Sequence, residues 1–247
     1  MSLYAIGDLH LSFQSEIRSE AQRKSRRWRG HEEKVRKNCE ILVGPDDTLV
    51  LAGDHTWGRK LPQCEQDLAF ISALPGRKVL LRGNHDGFWD VKKTASLNEK
   101  YRGKLFFLQN NYAPYGDIAL VGTKGFCFEG PFYLGRGGQI IGWDEENYAH
   151  AEKLVKREME RLEVSFAAAK ADGYSRFIMF LHYPPTNIME KESAFTKIAE
   201  DYGAGQVIYA HCHGEARFHD SIQGDFHGVR YSLVSGDFLR WVPMKIK

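Results

Sequence analysis

Lys78-Val79-Leu80-Leu81-Arg82-Gly83-Asn84-His85-Asp86 reads as a short buried strand, Lys78 to Leu81, cut off by a glycine and a polar cluster. The same arrangement recurs along the chain. Leu3 to Ile6 stops at Gly7-Asp8, Asp47 to Ala52 at Gly53-Asp54, Arg176 to Leu181 at His182, and Gln206 to Ala210 at His211-Cys212-His213. Between these runs, apolar spacing predicts helices over His31 to Val43, Gln63 to Leu74, Glu145 to Asp172 and Glu192 to Tyr202. Further strands are expected at Asp117 to Gly122, Val229 to Val234 and Phe238 to Val242. Strands alternating with helices argue for an α/β architecture. In open α/β sheets, ligands collect at the carboxyl ends of strands, so the polar residues that end these runs are expected to share one rim.

The 247 residues carry 34 Lys+Arg against 32 Asp+Glu, a net +2, with 27% charged and 43% hydrophobic residues. That balance excludes a disordered chain and gives no sign of a globally basic nucleic-acid binder. No apolar run approaches the ~18 residues needed to span a bilayer, and Asp8 and His10 precede any secretory hydrophobic region. The cysteines, Cys39, Cys64, Cys127 and Cys212, form no Cys-x-x-Cys pair, which points to a reducing cytoplasm. Without repeats, low-complexity tracts or a linker, residues 1–247 are expected to form a single domain.

The strand ends supply Asp8, His10, Asp54, Asn84, His85, His182, His211 and His213: two carboxylates, one amide and five imidazoles. Mixed oxygen and nitrogen donors without thiolate suit Zn, Mn, Fe or Ni better than Mg or Ca. Such a set exceeds the roughly three protein ligands of one catalytic ion and suits two ions if a carboxylate bridges. Paired divalent ions clamp an in-line displacement at phosphorus and make hydroxide available near neutral pH. A histidine outside the metal shell then protonates the leaving group. Any one of these residues alone is an ordinary turn, cap or hydrogen-bonding group; the ordered set is what points to catalysis.

The blocks GDLH (7–10), GDH (53–55), GNHD (83–86), LHYPP (181–185) and AHCH (210–213), in this order, resemble the calcineurin-like metallophosphoesterase superfamily. The resemblance implies that Asp8, His10, Asp54 and His213 hold one metal, and Asp54, Asn84, His182 and His211 the other. It makes Asp54 the bridge, His85 the proton donor, Asn84 and His85 the substrate contacts, and Asp86 the residue that orients His85. The implied fold is a four-layer α/β/β/α sandwich of two mixed β-sheets flanked by helices. The implied reaction is attack of metal-bound hydroxide on a phosphate ester, with phosphodiesters favoured; phosphomonoesterase and nuclease chemistry use the same motif. A catalytically silent scaffold of this fold would be expected to lack a ligand or the donor, and every position is filled here. Ala210 departs from the glycine usual before His-x-His. WRGHEEK (28–34), GDHTWGRKL (53–61), LPGRKVLLRGNHD (74–86) and LVSGDFLRW (233–241) resemble a bacterial branch of predicted phosphohydrolases, which favours a small hydrophobic residue and serine in place of His55 and Thr56.

The remaining features are read more plainly. Alternation along an extended chain turns Cys212 and His55 away from the ligands: Cys212 into packing, His55 toward either a supporting role or the surface. His31, His150, His219 and His227 are expected to be structural, and Trp28 a core anchor rather than a base-stacking platform. Arg18 to Arg29 is a basic stretch suited to a solvated face, or to a polyanion such as nucleic acid. Arg59 and Arg82 are candidate phosphate contacts or surface ion pairs. The glycine- and aromatic-rich segment Tyr101 to Asp144 lacks a phosphate-loop signature and is expected to border the site and shape substrate choice.

Overall fold

The computed structural model describes residues 1–14, 25–126, 145–188 and 190–246. Among them, strands form at Leu3–Ile6 (β1), Thr48–Leu51 (β2), Arg77–Leu81 (β3), Leu105–Leu108 (β4), Tyr112–Tyr115 (β5) and Ile118–Thr123 (β6). Later strands are Arg176–Leu181 (β7), Ala204–Tyr209 (β8), Gly224–Phe226 (β9), Val229–Leu233 (β10) and Met244–Ile246 (β11). Helices are His31–Leu42 (α1), Glu65–Ala73 (α2), Thr94–Lys100 (α3), Glu145–Ala171 (α4), Ala194–Asp201 (α5) and Glu215–Asp220 (α6). The chain divides into two compact units, Met1–Gln109 with Val234–Lys247, and Asn110–Leu233. Each contains one mixed sheet with helices beside it, the architecture expected from the sequence.

In the first unit the strand order is β11-β1-β2-β3-β4, with β1 to β4 parallel and β11 antiparallel to β1. β1 and β2 are buried at every residue, which is why their sequences read as continuous apolar runs rather than as alternating ones. Val35 and Cys39 of α1, one helical turn apart, pack into the same core as Leu49, Leu51, Leu80 and Phe107. Glu32 and Glu33 sit in the first turn of α1, where the helix dipole favours negative charge. The His31 ring lies against the carbonyl oxygens of Trp28 (3.0 Å) and Leu9 (2.8 Å), tying the helix start to the loop after β1.

The second unit has the order β5-β6-β7-β8-β10-β9, parallel from β6 to β10 and antiparallel at both edges. Ser193 caps α5 by accepting from the N–H groups of Phe195 and Thr196. Glu158 of α4 is fully buried, but Thr123 donates to it at 2.6 Å and Arg161 pairs with it at 2.6 Å, which offsets its desolvation.

Two expectations change. The strand expected at Phe238 to Val242 is a turn, and β11 forms at Met244–Ile246 instead. Arg240 and Trp241 have φ of 52° and 68°, which breaks an extended backbone. The Trp241 ring is thereby drawn into the core, its Nε1–H donating to the Arg27 carbonyl at 2.7 Å. The segment from Tyr101 is not a loop at its start, since it contains β4 and β5. At edge strand β4, the Asn98 side chain bonds both the N–H and the C=O of Phe107 (2.7 and 3.1 Å), replacing a neighbouring strand. Residues 127–144 of that segment, and Cys127 with them, lie outside the described residues. So do 18–24 of the basic stretch. Trp28 is a core residue, as expected.

Candidate metal centre

The site begins with backbone that ordinary residues avoid. Asp8, His10 and Asp54 have φ of 58°, 44° and 54°, and His211 has 71°. Such left-handed conformations cost roughly 1–2 kcal/mol each outside glycine. They persist where surrounding structure fixes them, commonly at functional sites. Here the fixing is visible: Asp8 N–H donates to Gly53 O, His10 N–H to Asp54 O and Leu11 N–H to His55 O, all at 2.9 Å. The loops after β1 and β2 are thus laced together. Asp8, His10 and Asp54 are buried by that lacing.

The Asp54 carboxylate is a hub of the first unit. Its Oδ1 accepts from the His85 N–H at 2.8 Å; its Oδ2 lies 3.5 Å from His10 Nε2 and 4.0 Å from His85 Nε2. Asp86 is the second hub, fully buried, and its carboxylate accepts from the main-chain N–H groups of Asp54 (3.0 Å), His55 (2.9 Å) and Gly83 (2.7 Å). Hydrogen bonds to an ionised acceptor are among the stronger ones. Two of them fasten the β2 loop to the β3 loop, and the third closes the β3 loop on itself. Asn84 follows Gly83 at the end of β3 and is half-buried.

Gly83 permits this closeness. A Cβ there would lie 2.1 Å from Asp54 Oδ1 and 2.2 Å from its backbone nitrogen. Gly83→Ala is therefore expected to push Asp54 out of place, lowering turnover by ~100-fold, the scale of a ~1 Å misplacement. Kinetics on variant protein whose circular dichroism matches wild type would check this.

In the second unit, β7 ends at His182 and β8 runs through Ala210 to His211. Their backbones stay in register beyond the strands: Ala210 N–H donates to His182 O, and His182 N–H to Lys124 O, both at 3.1 Å. The ring of His182 meets that of His211, with His211 Nδ1 3.2 Å from His182 Nε2. His182 is buried, while His211 and His213 are half-buried.

The structure also places what the sequence left open. Cys212 is buried. His55 is fully buried rather than at the surface; its Nε2 lies 2.9 Å from the Leu81 carbonyl, joining the ends of β2 and β3. The expected orienting contact of Asp86 with the His85 ring is not among the contacts of the described residues. Three neighbours were missed by sequence reasoning: Trp57, stacked on His10 at 4.7 Å, Lys124, whose Nζ stands 4.8 Å over the Tyr183 ring, and Tyr183, whose ring is 4.2 Å from His211. Lys124 had a readable signal, since Ile118 to Gly122 is another apolar run ending in polar residues.

The donor set fits divalent first-row metals: carboxylate, amide and imidazole, with no thiolate. Burial pushes the Cys39 and Cys64 thiols up to about 12, away from the reactive thiolate form.

Two mixed sheets flanked by helices, with Asp, Asn and His at their strand ends, define the metallophosphoesterase fold class. The sequence profile of the calcineurin-like phosphoesterase family matches residues 1–215, and the chain belongs to that family, whose members typically bind divalent metals. Gene 66 protein of Mycobacterium phage L5 is 38% identical over 65 residues, 26% of this chain and 31% of that protein. The matched region is thus less than a third of that relative's length. Among solved structures, the phosphopantetheinyl hydrolase PptH of Mycobacterium tuberculosis aligns with a TM-score of 0.59 at 15% identity, over 99% of this chain and 95% of that one. Protein TT1561 of Thermus thermophilus aligns with a TM-score of 0.50 at 12% identity, over 91% and 89% of the two chains. At these identities the likeness concerns the fold alone.

Proposed function

We propose that this chain is a dinuclear metal-dependent phosphoesterase acting on phosphodiesters, its two units together forming one catalytic domain. Asp8, His10 and His213 would hold one ion, and Asp54, His182 and His211 the other. Asn84 would complete the second group, and Asp54 would serve both. The observation that carries this reading is the set of buried, backbone-strained ligand residues at strand ends, Asp8, His10 and Asp54, in a chain of phosphoesterase family.

When bound, divalent ions supply positive charge for the phosphoryl oxygens and acidify a coordinated water toward neutrality. The chain's own residues do the rest. Asn84 and His85 contact the ester. As water oxygen bonds to phosphorus, the P–O bond to the leaving group breaks and its electron pair stays on that oxygen. His85 donates a ring N–H proton there, releasing an alcohol, and later regains a proton from solvent. The attacking water's surplus proton leaves with the phosphate product or solvent. A small-molecule or nucleotide ester fits this chemistry best. The nucleic-acid reading rests on Arg18 to Arg29, only the end of which is described. Among the described residues no helix is long and apolar enough to cross a membrane. The free, buried Cys39 and Cys64 support the cytoplasm as compartment.

Chelation followed by reconstitution with Mn, Zn, Ni, Co or Fe tests the proposal. The expected result is metal-restored hydrolysis of bis-p-nitrophenyl phosphate in preference to p-nitrophenyl phosphate. Preference for the monoester would move the assignment to phosphomonoesterase; no hydrolysis of any ester with any metal would contradict it.

A further inference from the structure

We propose that Trp57 is the residue that positions His85, the part that sequence adjacency gives to Asp86; this rests on the reading of His85 as proton donor. The Asp86 carboxylate is buried and spent on the N–H groups of Asp54, His55 and Gly83, and the His55 Nε2 lies 3.8 Å from it. It orders loops and leaves the His85 ring alone.

Among the described residues the His85 ring meets three side chains: Asp54 at 4.0 Å from Nε2, the His10 ring at 5.3 Å and the Trp57 ring at 4.4 Å. Neither ring nitrogen of His85 has a hydrogen-bond partner among these residues, and the side chain is 41% exposed. A half-exposed imidazole with no hydrogen bond has several staggered rotamers open to it. The indole is the largest surface that restricts it.

Trp57 is itself immobilised. Its ring stacks on buried His10 with 21° between ring planes, and its main-chain N–H donates to Leu11 O at 3.0 Å. Its neighbour Thr56 is bridged to Leu11, donates to the buried Asp67 carboxylate, and accepts from Gly58 N–H at 3.0 Å. A Cβ on Gly58 would lie 2.4 Å from Cys64 Sγ, so the loop is packed tightly on its far side too. One indole thus joins a ligand, His10, to the donor, His85. A side chain so placed sets where the donor nitrogen sits relative to a leaving oxygen, and displacements of ~1 Å at such a point cost ~10²-fold in rate.

The test compares wild type, Trp57→Ala, Trp57→Phe and His85→Ala on two diesters, bis-p-nitrophenyl phosphate and diphenyl phosphate. Nitrophenolate departs with little need of a proton; phenolate needs one. Trp57→Ala is expected to lose ~10- to 100-fold on diphenyl phosphate and under ~3-fold on the nitrophenyl ester, part of the ~10²–10⁴ a positioned acid supplies. Trp57→Phe should recover most of that loss, and Trp57→Leu takes the place of the alanine variant if that does not fold. Independently of activity, the His85 ring protons of metal-free protein should be displaced by the indole ring current and return to ordinary positions in Trp57→Ala. If His85→Ala slows both esters equally, the reading of His85 as donor fails. If His85→Ala discriminates between them but Trp57→Ala slows both equally, or leaves the His85 resonances unmoved, the inference about Trp57 fails alone.

Discussion

Asp54→Ala yields a folded chain that no longer holds metal, with turnover at the background of metal-free protein. The argument starts from burial. Asp54 is 1% exposed, and its neighbours include a peptide N–H at Oδ1 and the rings of two histidines at Oδ2. A buried carboxylate is costly unless hydrogen-bond donors or cations join it. Losing a partner that merely supports a ligand weakens metal binding ~10–100-fold; if Asp54 serves both ions as proposed, its loss should exceed that. Thermal unfolding gives a second readout. Metal that binds the native state at 100 times its dissociation constant stabilises wild type by about 2.7 kcal/mol. That metal-dependent rise in melting temperature should vanish in Asp54→Ala, while the metal-free variant melts no lower than metal-free wild type. Metal analysis of purified protein checks the first expectation and calorimetry with and without Mn the second.

His85→Ala has the other large effect, and it separates chemistry from metal binding. His85 stands on the rim with 41% of its side chain exposed, so truncation removes little packing. Its loss should lower kcat by ~10²–10⁴, the contribution of a positioned general acid. Metal content should stay at the wild-type level, because Asp8, His10, Asp54, Asn84, His182, His211 and His213 remain. Steady-state kinetics with parallel metal analysis decide it: unchanged turnover, or lost metal, would remove His85 from the role of donor.

The parts of this molecule legible in the sequence are those set by local pattern. Buried parallel strands read as apolar runs, and the polar residue that stops each one lies where a strand ends, so the strand-end positions of Asp8, Asp54, Asn84, His182 and His211 are legible by position alone. Strand β4 was harder, because its edge is completed by the Asn98 side chain rather than by another strand. The turn at Arg240 and Trp241 was hidden because local propensity favours a strand there, and only the pull of the indole into the core overrides it. Asp86 shows the limit most clearly. Adjacency suggests that it serves His85, but its three acceptor contacts reach main chain on two loops, one of them about thirty residues earlier. Trp57 was invisible for the same reason: nothing in GDHTWGR tells that its ring will lie on His10.

Diffraction from crystals reconstituted with manganese, recorded at the manganese absorption edge, tests the central claim most directly. Two anomalous peaks flanking the Asp54 carboxylate are the predicted result; the absence of any peak beside that side chain would contradict it.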